Sequence, residues 1–280
     1  MNPSNSLSVG TLTAGLRFPE GPAFARDGSL WCVELQGGGL VRVSNGMTAR
    51  VPTGGAPNGA AVDAAGRVWF CDAEQNAIRR LDPRTGEAET MADQVNGRPL
   101  NKPNDLAFDL AGNLAFTCPG DSRREPSGYV CCRAASGEVS VIARELYFPN
   151  GLAFTADGSE LVVAETYRQR LWRGAWDASR LAWLEPRVWA TGLDGAPGPD
   201  GMAFAEDGSL FVAVYGAGAV VRVEATGRLV ERYPLAGRNP TNCAFDPRGK
   251  LGLVVTEAER GELLSLDVGT RGVTLFQGES

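Results

Sequence analysis

The sequence contains no histidine among its 280 residues. This absence excludes the Ser-His-Asp and Cys-His nucleophiles, which need an imidazole base, and it excludes every imidazole metal ligand. Acid–base chemistry near neutral pH must therefore come from a carboxylate, a lysine, a tyrosine or a metal-bound water.

Cysteine is scarce, and its spacing does not fit a zinc site. The six cysteines include the neighbours Cys131 and Cys132, and adjacent side chains on a strand point to opposite faces. Cys32, Cys71 and Cys118 fall at similar places in three successive apolar runs. We interpret all six as buried thiols of a protein in a reducing cytoplasm.

Long apolar runs and basic clusters are also missing. No stretch reaches membrane-spanning length, and residues 1–6 lack the basic and apolar regions of a signal peptide. The formal net charge of -6 argues against a nucleic-acid partner. We expect a cytoplasmic protein, either a monomer or a small homo-oligomer, with no nucleic-acid or membrane partner.

The sequence is rich in glycine (36) and proline (17), as many short strands joined by tight turns require. One pattern recurs six times: Pro, then a residue X, then an apolar residue four positions after X, and a Gly four positions further on. The X residues are Glu20, Asn58, Asn104, Asn150, Asp200 and Thr241. Their spacings of 38, 46, 46, 50 and 41 residues are typical of a propeller or solenoid.

Each repeat contains four β-rich runs, and an Asp-Gly type turn that favours a hairpin follows the first run. The sequence therefore predicts an all-β fold, a six-bladed β-propeller with four-stranded blades, forming a single domain over residues 1–280. No helix of consequence is expected. Terminal strands should close the ring, and either residues 7–12 or residues 273–276 could complete the last blade.

Propeller geometry brings the six X residues together. The first strand of each blade lines the central channel, so all six should ring one of its mouths. The second strand returns to the same face, and its last residues should rim that mouth. These residues are Glu34, Asp72, Cys118, Glu165, Tyr215 and Glu257.

The ring of X residues is rich in oxygen donors, with two carboxylates, three amides and one hydroxyl. Such a set suits a hard cation such as Ca²⁺ or Mg²⁺, and two facing carboxylates would repel each other unless a cation neutralised them. The alternative is that these are simply turn residues copied with the repeat. That reading is favoured for Asn58 and Thr241 and is weakest for Glu20, since Glu is not a favoured turn residue.

Four of these motifs carry a specific resemblance. They are Glu20 in Phe-Pro-Glu-Gly-Pro, Asn104 in Lys-Pro-Asn-Asp, Asn150 in Phe-Pro-Asn-Gly and Asp200 in Gly-Pro-Asp-Gly. Over essentially its whole length the chain resembles the SMP-30/gluconolactonase/luciferin-regenerating-enzyme family of six-bladed propellers. The resemblance implies that Glu20, Asn150 and Asp200 bind one divalent cation (Ca, Zn, Mg or Mn), and that Asn104 completes or flanks the site.

Two features depart from the family pattern. The family often has an Arg that contacts substrate two residues before the first Asn, whereas this chain has Lys102, which keeps the charge but loses the bidentate fork. The rim loop, residues 117–128, is rich in Pro and Gly. It could form a shaped lid or a plain solvated loop, and its Arg123 or Arg124 could meet an anionic group.

The resemblance implies a metal-dependent hydrolase of a small cyclic ester, most simply a sugar lactone. In this hypothesis the cation polarises the lactone carbonyl and stabilises the oxyanion. Asp200 is both ligand and general base towards water, while Asn104 and Lys102 orient substrate hydroxyls. A role in carbohydrate metabolism would follow.

Two alternatives remain at this point. The same metal site could catalyse a lyase, hydratase or organophosphate hydrolase reaction, because fold and ligands do not fix the substrate. The propeller could also be a non-catalytic binding platform, which would predict an apolar or charged patch on one face rather than a polar axial ring.

Overall fold

Six antiparallel sheets of four strands, each built largely from one sequence repeat, surround a central channel in the computed structural model. The structure describes residues 8–273. The innermost strand of each sheet contacts those of the two neighbouring sheets, which closes the ring. The prediction of an all-β, six-bladed propeller with four-stranded blades is confirmed.

The strands follow the repeats, except that the first strand in the chain, β1 (Val9–Thr13), belongs to the last blade. Blade 1 contains β2 (Pro19–Phe24), β3 (Leu30–Glu34), β4 (Gly39–Ser44) and β5 (Met47–Pro52). Blade 2 contains β6 (Pro57–Val62), β7 (Val68–Asp72), β8 (Ala77–Asp82) and β9 (Glu87–Ala92). A small hairpin of β10 (Gln94–Val95) and β11 (Arg98–Pro99) follows.

The next blades repeat the same order from the channel outwards. Blade 3 contains β12 (Leu106–Phe108), β13 (Leu114–Cys118), β14 (Gly128–Arg133) and β15 (Val139–Leu146). Blade 4 contains β16 (Pro149–Phe154), β17 (Glu160–Glu165), β18 (Arg170–Asp177) and β19 (Ala182–Thr191). Blade 5 contains β20 (Gly198–Phe204), β21 (Leu210–Tyr215), β22 (Ala219–Val223) and β23 (Leu229–Pro234).

The last blade is completed by the N-terminal strand. It contains β24 (Pro240–Phe245), β25 (Leu253–Glu257) and β26 (Glu262–Leu266), and β1 pairs antiparallel with β26. The expectation that a terminal strand closes the ring is therefore met by residues 9–13. Of the C-terminal alternative only Val273 is described, and residues 274–276 lie outside the described part of the chain.

The hairpin turns explain why these sequences pair as they do. In the turn between β20 and β21, Gly208 adopts a φ of 81°, a left-handed conformation that glycine reaches without a steric penalty. The carboxylate of Asp207 accepts the backbone N–H of Ser209 at 2.9 Å. Asp-Gly-Ser recurs with the same contact in blades 1 and 4.

Apolar side chains fill the spaces between the blades rather than one common centre. There are six clusters of buried residues, and each lies between two neighbouring blades. The six cysteines are free and buried, which confirms their interpretation as core thiols. Between residues 8 and 273 the single helical element is the 3₁₀ turn Thr166–Arg168, and no helix of that region is long and apolar enough to cross a membrane.

Hydroxyl groups link neighbouring blades at the channel wall. Thr241 in blade 6 donates to the carbonyl oxygen of Pro19 in blade 1 at 2.8 Å, and its own Oγ1 lies 2.8 Å from that of Thr256. In blade 4, Thr166 donates in the same way to Pro199 of blade 5. Thr241 is fully buried, so its hydroxyl serves ring closure.

We predict that Thr241→Val will lower the free energy of unfolding by about 1–3 kcal/mol, because the buried carbonyl of Pro19 would lose its donor. Urea unfolding measures this change. Thr90→Val, at an exposed position of β9, is the control and should change the free energy by no more than about 0.5 kcal/mol. Equal stability of Thr241→Val and wild type would contradict the assignment of Thr241 to ring closure.

Candidate functional site

The loops that carry the X residues are held by buried carboxylates at the ends of the second strands. In four blades this carboxylate accepts a backbone N–H from the loop just before the first strand of the same blade. The four pairs are Glu34 with Arg17, Asp72 with Ala56, Glu165 with Tyr147 and Glu257 with Asn239. These carboxylates lie at the predicted end of the blades, and their contacts fix the mouth.

The three predicted cation ligands are buried at the start of their inner strands. Glu20, Asn150 and Asp200 are 4%, 5% and 7% exposed, and they belong to blades 1, 4 and 5. Asn58 and Asp105 are also buried, whereas Asn104 is half-buried. The start of each first strand thus contributes a polar group to a small space at the channel mouth, and most of these groups are buried from solvent.

Burial and like charge dominate the electrostatics of this space. Desolvation, reinforced by the charge of Asp105, raises the pKa of Glu20 to about 8. Desolvation also raises the pKa of Asp105 to about 7. Burial and the charges of Glu20 and Asp105 raise the pKa of Asp200 well above its usual value, against the opposing effect of a hydrogen bond with Asn150. The three carboxylates therefore lie close enough to destabilise one another's ionised forms.

A polar bridge crosses the channel beside these groups. Asn242 Nδ2 in blade 6 donates to Asp105 Oδ2 in blade 3 at 3.1 Å, and these blades face each other in a ring of six. The two residues have the same local structure. Each side chain accepts the next residue's N–H, and each backbone N–H donates to a threonine hydroxyl of the second strand. We call this pair the Asp105–Asn242 bridge.

The glycines of the other blades make room for the bridge. Asp105 and Asn242 directly follow X in their repeats, where the other four repeats have glycine: Gly21, Gly59, Gly151 and Gly201. A Cβ atom on Gly59 would lie 2.1 Å from Asp105 Oδ1, and one on Gly201 would lie 1.9 Å from Asn242 Cγ. Side chains at both glycines would therefore collide with the bridge.

The sequence prediction missed Asp105 and Asn242, although their signal was present in the aligned repeats. The position after X is glycine in four repeats and polar in two, and those two are opposite each other. In blade 6 the X residue, Thr241, forms its hydrogen bond inside the channel wall. The next residue, Asn242, supplies the side chain that reaches the channel.

Below the bridge the channel becomes apolar. A cavity of about 130 Å³ is lined by the inner strands, including Phe108, Phe154, Phe204 and Phe245, and also by Val273. Asp105 and Asn242 are the polar side chains of its lining. The bridge thus separates a polar mouth from an apolar interior.

The two predicted substrate-binding residues lie at the mouth with different accessibility. Lys102 is exposed, and its Nζ pairs with Asp121 of the rim loop at 3.0 Å. An exposed pair of this kind contributes only about 0–1 kcal/mol, so it can be exchanged for another partner. The backbone of Asn104 is fixed, since its N–H donates to Thr117 and its carbonyl accepts from Gly59.

No group of three or more Asp, Glu, Cys or His side chains between residues 8 and 273 is arranged to hold a metal ion. The predicted ligand set contains only two side chains of these types, the carboxylates of Glu20 and Asp200. Its third member is the amide of Asn150. Another amide oxygen, Asn58 Oδ1, is buried without a hydrogen-bond partner. The mouth therefore contains an acceptor that nothing in the described chain satisfies.

Fold and site together define a six-bladed propeller with an acidic, oxygen-lined channel mouth. The chain belongs to the SMP-30/gluconolactonase/LRE-like family, whose model matches residues 18–259. This result confirms the resemblance and, with the lactonases among the relatives, the prediction of a gluconolactonase-like hydrolase.

Particular relatives support the relationship. A gluconolactonase of Zymomonas mobilis is 24% identical over 284 residues, covering 88% of this chain and 78% of its own. A diisopropyl-fluorophosphatase of Loligo vulgaris is 31% identical over 215 residues, covering 68% of this chain and 67% of its own. The solved structure of a gluconolactonase from Xanthomonas campestris superposes with a TM-score of 0.83 at 28% identity, covering 94% of this chain and 90% of its own.

We predict that Asn242→Asp will destabilise the metal-free protein by about 1–3 kcal/mol, because a carboxylate would replace the donor that Asp105 needs in a buried site. Urea unfolding in the presence of a chelator measures the change. Asn45→Asp adds the same charge in an exposed turn and serves as the control. The bridge would lose its assigned importance if both variants were equally stable.

Proposed function

We propose that the protein is a divalent-cation-dependent hydrolase of a small cyclic ester, most simply a sugar lactone. The observation that carries this proposal is the burial of Glu20 and Asp200 beside Asn150 at one end of the channel. Isolated buried carboxylates are costly. A cluster of them at a solvent-connected mouth has a direct explanation if a cation binds between them.

The residues present fit such a cation. Glu20, Asp200 and Asn150 would hold it, and the unpartnered Oδ1 of Asn58 supplies a further oxygen acceptor at the same mouth. All of these donors are oxygens, which favours Ca²⁺ or Mg²⁺. Mn²⁺ also suits oxygen ligands, whereas softer ions such as Zn²⁺ prefer nitrogen or sulfur, so Zn²⁺ serves as the comparison in the assay.

The proposed chemistry divides between the cation and the chain. A divalent cation at this position supplies Lewis acidity towards a lactone carbonyl and stabilises negative charge on its oxygen. Asp200, the carboxylate on blade 5, accepts a proton from the attacking water as general base. Asn104 and Lys102 orient the substrate from blade 3, and Lys102 exchanges its exposed contact with Asp121 for a substrate hydroxyl.

The relatives support this choice of substrate class. The proteins from Zymomonas mobilis and Xanthomonas campestris are gluconolactonases, and the motifs containing Glu20, Asn104, Asn150 and Asp200 all lie within the family match. A sugar lactone is also small and polar, as the oxygen-lined mouth requires. A role in carbohydrate metabolism is the corresponding biological proposal.

We predict that exhaustive chelation will abolish lactone hydrolysis and that one of Ca²⁺, Mg²⁺, Mn²⁺ or Zn²⁺ will restore it. Titration calorimetry should show one ion bound per chain, and Glu20→Gln should weaken this binding because a ligand charge is lost. Hydrolysis that continues undiminished after metal removal would refute the proposed role of the cation. The calorimetry tests ion binding even in the absence of turnover.

We predict that Asp200→Asn will lower kcat for lactone hydrolysis about 100- to 10 000-fold, the range typical of a lost general base. The ring should remain folded, as judged by circular dichroism, because a near-isosteric amide replaces a buried charge. Asp194→Asn, an exposed neighbour in the same connection, is the control and should retain full activity. Full turnover by Asp200→Asn would remove the proposed base.

Organophosphate hydrolysis is the second candidate, because the relative from Loligo vulgaris is a diisopropyl-fluorophosphatase at 31% identity. The phosphorus of such a substrate also carries an oxygen that a cation could polarise. Comparing kcat/KM for glucono-1,5-lactone and diisopropyl fluorophosphate on the same metal-loaded protein distinguishes the two candidates. A non-catalytic platform is less well supported, because the buried polar groups gather at the channel mouth and the family's named relatives include lactonases.

A further inference from the structure

The rim loop, residues 117–128, is anchored at both sides of the mouth. On one side Asp121 pairs with Lys102, and the N–H of Gly120 donates to Asn101. On the other side Ser122 is fully buried, and its Oγ accepts the N–H of Phe148 at 2.9 Å. Of the two possibilities raised by the sequence, the contacts therefore favour a shaped loop.

This anchoring places Arg123 over two aromatic rings beside the mouth. Its guanidinium carbon lies 5.7 Å from the ring centre of Phe148 and 5.9 Å from that of Tyr167. The two rings meet edge to face at 5.4 Å. Phe148 is two residues before Asn150, so the guanidinium of Arg123 packs against the loop that carries a proposed cation ligand.

Arg123 has no acidic partner in the part of the chain that the structure describes. Among the described residues it forms no salt bridge, whereas Lys102 on the opposite side of the same loop is paired with Asp121. A cation–π contact with the two rings uses none of the N–H donors of the guanidinium, which can therefore bind a planar or tetrahedral anion. The rim thus presents a positive charge whose donors can reach a ligand.

The backbone beneath Arg123 is strained. Phe148 has a φ of 59°, a left-handed conformation that is a genuine outlier for a bulky residue and costs of the order of 1–3 kcal/mol. Its N–H donates to Ser122 Oγ. Phe18 and Lys102 adopt the same conformation at the equivalent position of blades 1 and 3, so this backbone geometry belongs to the repeat, and in blade 4 it is used to present an aromatic ring to Arg123.

From these contacts we propose that Arg123 determines specificity by binding an anionic group, a carboxylate or a phosphate, on the substrate. The inference rests on the proposed function and extends it. The cyclic ester would enter the oxygen-lined mouth while its charged substituent remains at the rim, bound by the edge of the guanidinium. The substrate class is then a lactone of a sugar acid that carries a second acidic group.

Pairs of lactones that differ in one charged group test this proposal. Glucono-1,5-lactone is compared with its 6-phosphate, and glucono-1,4-lactone with glucaro-1,4-lactone, so that phosphate and carboxylate are examined separately. We expect wild type to favour the charged member of at least one pair by about 10- to 100-fold in kcat/KM, the range expected from a charge-assisted hydrogen bond. The preference should arise in KM, because a remote group is bound equally before and during the reaction.

Variants assign the preference to one side chain. Arg123→Gln should abolish the charged-to-neutral ratio, and Arg123→Lys should restore only part of it, because lysine lacks the fork and the stacking surface. Arg124→Gln removes the same charge from the adjacent exposed residue and should leave the ratio unchanged. Equal loss in both glutamine variants would reveal a general charge effect and overturn the proposal, as would a wild-type ratio near one in both pairs.

A binding measurement separates this inference from the proposed function. Glucitol 6-phosphate and glucitol contain no lactone, so their affinities measured by calorimetry do not depend on lactone hydrolysis. Tighter binding of the phosphate that disappears in Arg123→Gln supports the inference even if no lactone is hydrolysed. Tighter binding that survives in Arg123→Gln would place the anion at the cation site instead and would overturn it.

Discussion

The structure depends on one electrostatic constraint, the burial of several carboxylates at one end of a narrow channel. Glu20 and Asp200 lie on inner strands of different blades, and Asp105 directly precedes the inner strand of a third. Burial raises the pKa values of all three, and the charges of neighbouring carboxylates raise those of Glu20 and Asp200 further. The ring of blades forces these groups together, and the hydrogen bonds of Asn150 and Asn242 compensate only part of the cost.

The surrounding architecture makes this concentration of charge possible. Six interblade apolar clusters provide the stability, and carboxylates at the second-strand ends hold the X loops by accepting backbone N–H groups. The Asp105–Asn242 bridge forms the floor of the mouth, and the side chains that line the cavity below this bridge are apolar. The proposed function therefore belongs to the mouth, where Arg123 of the rim loop adds a charge of opposite sign.

The repeat predicted the fold and the equivalent placement of the X residues, because a fixed spacing of Pro, X, an apolar residue and Gly is satisfied by equivalent strands. It could not predict how each side chain is used. Thr241 occupies an X position yet bonds to Pro19 in the wall, a contact between residues 222 apart in sequence. The hydrogen bond between Asp105 and Asn242 likewise joins residues 137 apart in sequence. It can be recognised only when the ring is closed and blades 3 and 6 face each other. The stacking of Arg123 depends on the path of an irregular loop, for which the sequence has no periodic signal.

We propose that one divalent ion occupies the space between the mouth carboxylates. Anomalous diffraction from crystals soaked in Mn²⁺ locates such an ion. We expect a single strong peak at the mouth, within bonding distance of oxygens from Glu20, Asn150 and Asp200. Crystals saturated with the ion that show no peak there, with the three side chains directed apart, would contradict it.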